Sequence, residues 1–179
     1  MRSFKEYLEN PSIEWYSQPI QKKLIAYHGG AYFEEFSLDY LGSGEHNYGS
    51  GMNPALGFGV YFSDCKNIAS LYTKYSKGKK AIHKVELNTT NIYDLRNGTP
   101  HLSSAFDDIL KELEMTKEDR PFRTFGVYEG LFKMMNKHKA IETLIKHGIN
   151  GAFTRLPMGC LEISIINLDV IKKLDKEEV

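Results

Sequence analysis

Residues 41–64 read LGSGEHNYGSGMNPALGFGVYFSD, and residues 24–30 before them read LIAYHGG. Two short apolar runs, LIAY and VYF, therefore flank a segment rich in Gly, Ser and Asn, and eight glycines fall between Gly29 and Gly59. Short apolar runs bounded by glycines predict strands. A long irregular segment between two strands of one compact domain is usually functional. The glycine pair after His28 lets another group come close to the backbone, and Gly29 offers both an N–H and a C=O to a flat amide.

Outward from this stretch the pattern alternates between strands and helices. Ser63 or Asp64 is expected to cap a helix running to about Lys77, with Ile68, Leu71, Tyr72 and Tyr75 on its apolar face. Residues 79–87 alternate as a strand with one wet face, and residues 91–95 form a shorter extended piece. Ser103 or Ser104 is expected to cap a helix to about Met115, and further helices are expected over residues 122–135 and 139–147, the last closed by Gly148. Phe153 and residues 161–166 are strand-like, and residues 169–174 are short and amphipathic. Residues 3–9 carry Phe4, Tyr7 and Leu8 at helical spacing before Pro11, giving a helical extension over residues 1–20. With neither repeats nor a linker, the expectation is one α+β domain over residues 1–179, built on several short strands.

A chain of 179 residues, 41% hydrophobic and 26% charged, can bury a sizeable core. Lys+Arg and Asp+Glu are both 23, so there is no global basic field to attract nucleic acid. The first residues lack the apolar core of a secretory leader, and no apolar run has the length of a membrane span. Cys65 and Cys160 are the two cysteines; a disulfide scaffold and a metal site are both unexpected, and a reducing, cytoplasmic compartment fits. His83, His101, His138 and His147 show no ligand spacing, and Lys77, Lys79 and Lys80 read as a solvated turn. Glu45 and His46 lie in the glycine-rich loop, where they suit either solvent or a target.

Three residues have the chemistry of a site. His28 alone would pass for a core histidine, Tyr61 for a core aromatic, and Glu162 for an edge carboxylate paired with a lysine. Their order and the glycines around them say more. His28-Gly29-Gly30, Gly57-Phe58-Gly59-Val60-Tyr61-Phe62 and Glu162 at the head of EISIIN resemble the H-Y-E triad of the ADP-ribosyltransferases. Gly42-Ser43-Gly44-Glu45 resembles a stretch of bacterial and phage members of that family. Tyr72 follows Tyr61 by eleven residues, the spacing at which two tyrosines hold the nicotinamide ring in the poly(ADP-ribose) polymerases and diphtheria-type toxins. Gly30 stands where the polymerases carry a hydroxyl residue, Ala69 where they carry a serine, and Asn167 where an acid is frequent.

The resemblance implies an ADP-ribosyltransferase fold, with two small, packed, mainly antiparallel sheets forming an NAD cleft flanked by helices. It implies NAD as a consumed substrate and no metal. His28 would orient the ribose. Gly29 would hold the carboxamide, with Gly30 and Ser63 also lining the NAD site. Tyr61 and Tyr72 would stack the ring, and Glu162 would stabilise the oxocarbenium-like cation. The expected protein is a monomeric mono-ADP-ribosyltransferase of a bacterial or phage-infected cytoplasm, acting on a protein or nucleic-acid acceptor and away from membranes. NAD glycohydrolysis and a silent NAD-binding or phage accessory module are the alternatives.

Overall fold

The structure is a computed structural model that describes residues 20–40, 56, 59–95, 98–114, 136–156 and 159–179. The helices expected over residues 3–9 and 122–135, and most of the loop over residues 42–59, lie outside the described residues. Seven strands are described: β1 (Lys23–Ala31), β2 (Val60–Ser63), β3 (Lys80–Asn88), β4 (Ile92–Asp94), β5 (Gly151–Arg155), β6 (Leu161–Ile165) and β7 (Ile171–Glu178). Three α-helices accompany them: α1 (Lys66–Thr73), α2 (Pro100–Glu112) and α3 (Lys137–Lys146). Among the described residues no helix is long and apolar enough to cross a membrane.

The fold is α+β, but the strands join in one mixed sheet, not two, in the order β4-β5-β6-β2-β1-β3-β7. Only β4 and β5 run parallel; every other pair is antiparallel. The join in the middle is slight. β1 and β3 pair over nine residues and β2 and β6 over four, whereas β1 meets β2 only at Tyr27↔Ser63. The sheet therefore has two well-paired halves that part beyond that one pair.

Alternation along the strands sorts the two faces. Phe62, Ile163 and Phe153 are register partners on one face of β2, β6 and β5, and all three are buried. Leu102, Phe106 and Ile109 of α2 and Ile141 and Leu144 of α3 join them in one core cluster. The Tyr93 and Phe106 rings meet edge-on at 4.6 Å between centroids. The opposite face of the same strands carries Tyr61, Ser63, Glu162, Ser164 and Thr154. Burying a side chain such as Ile163 contributes about 1.5–3 kcal/mol, so a slip of β6 by one residue, which would turn Glu162 inward, is strongly opposed.

Several boundaries differ from the sequence expectation. β1 continues through His28, Gly29 and Gly30 to Ala31, because β3 pairs with it along the whole length and outweighs the weak strand preference of glycine. α1 starts from Cys65, not from Ser63 or Asp64, and ends at Thr73. Its buried residues are Ala69 and Thr73, while Leu71 and Tyr75 are exposed. α2 is preceded by Thr99 and opens at Pro100, ahead of Ser103 and Ser104. Asn136 caps α3 by accepting a hydrogen bond from Lys139 N–H at 2.8 Å, and Gly148 follows its end with φ +77°. The amphipathic residues 169–174 enter β7, a lysine-rich edge strand of the kind that resists further pairing.

Candidate functional site

The site residues collect where the sheet parts. Tyr32 N–H donates to Lys79 O on the β3 side. Strand alternation then turns the backbone groups of Gly30 and His28 toward β3, and those of Gly29 and Tyr27 toward β2. Tyr27 is the last residue of β1 paired with β2, so the N–H and C=O of Gly29 point into the opening one step beyond it. His28 spans the same opening with its side chain. Its Nδ1 lies 2.8 Å from the carbonyl oxygen of Tyr61 on β2. A carbonyl only accepts, so Nδ1 carries the proton and Nε2 is left as an acceptor.

Both glycines also answer to packing. A Cβ on Gly29 would overlap the carbonyl oxygen of Ala69, where α1 lies against β1. A Cβ on Gly30 would come within 2.9 Å of His28 Nε2. Close approach at these positions is thus made by α1 and by the imidazole.

Some of the His28 surface remains accessible, yet the ring is crowded by Phe33, Phe36, Phe62 and His83 at centroid distances of 5.6–6.0 Å. Burial pushes its pKa down to about 4; the Tyr61 carbonyl opposes that shift, and the neighbouring His83 adds to it. His83, which carried no ligand spacing in the sequence, lies buried and stacked on Phe33 at 4.0 Å. Its Nε2 faces Ala31 O at 3.3 Å, and burial lowers its pKa as well.

Across the opening, Ser63 on β2 is the register partner of both Tyr27 and Glu162. Glu162 is half-buried, and its Oε1 accepts a hydrogen bond from Tyr72 Oη of α1 at 2.8 Å. The hydroxyl of Tyr61 accepts from Leu56 N–H at 3.0 Å. Ser63 is buried, and its Oγ accepts from Cys65 N–H at 3.1 Å, so its hydroxyl serves the turn into α1. The fold thus links the His28 ring to the Tyr61 backbone carbonyl, and Tyr72 to Glu162; the His28 ring touches Phe62, whereas the Tyr61 and Glu162 side chains lie on the opposite face of β2 and β6.

The largest correction concerns the cysteines. Cys65 and Cys160, ninety-five residues apart, form a disulfide with a Cα–Cα distance of 5.8 Å. It ties the N-cap of α1 to the residue before β6. Asp64 runs beside it, its Oδ1 accepting from Leu161 N–H at 2.7 Å. One ligand atom from each of Asp64, Cys65 and Cys160 lies within 4.8 Å of the others. That grouping was invisible in a sequence where the cysteines share no local motif. While the sulfurs are joined, neither offers a thiolate to a metal. No protein-family model, curated protein or solved structure matches this chain.

Proposed function

We propose that this chain is a mono-ADP-ribosyltransferase that cleaves NAD, releases nicotinamide and passes one ADP-ribose to a macromolecular acceptor. The observation that carries the reading is the opening between β1 and β2. The Gly29 N–H and C=O face it, the neutral His28 bridges it, and Glu162 and Tyr72 stand beyond Ser63. A carboxamide presents one donor and one acceptor, which the two backbone groups of Gly29 complement. His28 Nε2 accepts from a ribose hydroxyl. Glu162 supplies a fixed negative charge to the oxocarbenium-like cation formed as nicotinamide departs, and preorganised charge of this sort is usually the largest catalytic contribution. Tyr61 and Tyr72 supply flat faces for the ring, each worth roughly 0.5–1.5 kcal/mol beyond buried area.

The test is incubation with NAD labelled on the adenosine side, in the presence of bacterial lysate, with separate measurement of free nicotinamide and of label bound to protein or nucleic acid. Nicotinamide release with one ADP-ribose per modified site is the expected result. Release with free ADP-ribose alone would make the protein a glycohydrolase. Absence of both release and calorimetric NAD binding would overturn the reading.

A further inference from the structure

We propose that Cys65–Cys160 is a thiol-exchange site, taking a dithiol as its reactant, through which the surrounding thiol pool controls the joint between α1 and β6. The position of the bond carries the argument. It closes over ninety-five residues and lands at the start of two elements, α1 and β6, that bear Tyr72 and Glu162. Two hydrogen bonds accompany it across the same joint, Asp64 to Leu161 N–H and Tyr72 to Glu162. α1 itself has eight residues, too few for a helix to persist without tertiary support. The Cys65 side chain makes no capping hydrogen bond to the helix, and its N–H donates to Ser63 Oγ, so the cross-link is the covalent tie of that end to β6.

The two sulfurs differ in access. Cys65 is half-buried, whereas Cys160 is only 7% exposed. An incoming thiolate therefore attacks the sulfur of Cys65. The S–S bond breaks, its electron pair leaves on the sulfur of Cys160, and that sulfur takes up a proton. The second thiol of the reagent, as thiolate, then attacks the reagent sulfur bound to Cys65. Cys65 departs as a thiolate and is later protonated, and the reagent leaves as its own disulfide. Two electrons and two protons have passed to the protein. A thiolate at position 65 sits at the N-terminus of α1, where the helix dipole favours negative charge and eases that departure. With the cross-link open, α1 is held at its N-terminal end by the hydrogen bond from Leu161 N–H to Asp64, and Tyr72, near the other end of the helix, loses the fixed position from which it reaches Glu162.

The experiment uses the whole chain with dithiothreitol as the probe. Under native conditions, maleimide mass tagging should find no free thiol before reduction and two after it, with both lost again on reoxidation. Amide hydrogen exchange should rise roughly tenfold within residues 66–73 and 161–165, while β3 and β5 stay protected. The Cys65→Ser/Cys160→Ser double variant should exchange at the fast rate with or without dithiothreitol. Thiols that react only after denaturation, unchanged exchange after full reduction, or fast exchange in every strand would each overturn the proposal. Its catalytic consequence rests on the NAD reading: nicotinamide release should fall at least about fivefold on reduction and recover on reoxidation. Failure of the NAD reading appears as no release in either state, and the exchange result still decides the switch.

Discussion

His28 stays neutral at pH 7 because the surrounding rings exclude the water that its cation would need. Its pKa is near 4 in the folded chain and 6.5 for an unperturbed imidazole, so the unfolded chain binds the proton more readily. The stabilisation is therefore present above pH 6.5 and is lost as pH falls toward 4, amounting to about 3 kcal/mol at full loss. His83 is shifted in the same direction and steepens the fall. Urea midpoints should drop through that window, and His28→Gln should flatten the profile; an equally steep profile in the variant would place the titration elsewhere. At Glu162 the prediction concerns chemistry. Glu162→Gln keeps the shape and loses the charge, so nicotinamide release should fall by roughly 10²–10³ while calorimetric NAD affinity stays within a few fold. Near wild-type turnover would remove Glu162 from the site. The positions of His28, Tyr61 and Glu162 at strands were readable from glycine and apolar runs. The ring cage of His28 was not, because Phe62 of β2 and His83 of β3 join Phe33 and Phe36 of the segment after β1.

At the scale of elements, α1 shows why spacing alone misleads. Ile68, Leu71, Tyr72 and Tyr75 form a helical stripe, yet Ala69 and Thr73 are the residues that face β1. The reason is the close packing at Gly29, which admits only a small residue opposite it. Two substitutions follow from this contact. Gly29→Ala must push α1 away from the Ala69 carbonyl and should cost about 1–3 kcal/mol by chemical denaturation. Tyr75→Ala, at a side chain 62% exposed, should change stability by no more than about 0.5 kcal/mol. Equal effects of the two would mean that α1 does not rest on Gly29. Tyr72, on the same short helix, reaches Glu162 from a helix that rests on β1 through Ala69 and is tied to the start of β6 through Cys65 and Asp64.

On the scale of the whole molecule, one disulfide and several strand pairs connect parts that are distant along the chain. Breaking the Cys65–Cys160 loop of ninety-five residues in the Cys65→Ser/Cys160→Ser variant should lower stability by about 2–4 kcal/mol, read as a reduced denaturant midpoint. An unchanged midpoint would show that the cross-link does not constrain the unfolded chain. Composition and periodicity were enough to establish an α+β domain, its short strands and the helix ending at Gly148, because these depend on contacts within a few positions. Tertiary structure alone decided that the strands form a single sheet, that this sheet parts after Tyr27↔Ser63, and that two cysteines with no shared local motif are bonded. Each of those outcomes depends on which distant strands become neighbours, and strand order is set by burial summed over the whole core, a quantity that no local window of residues contains.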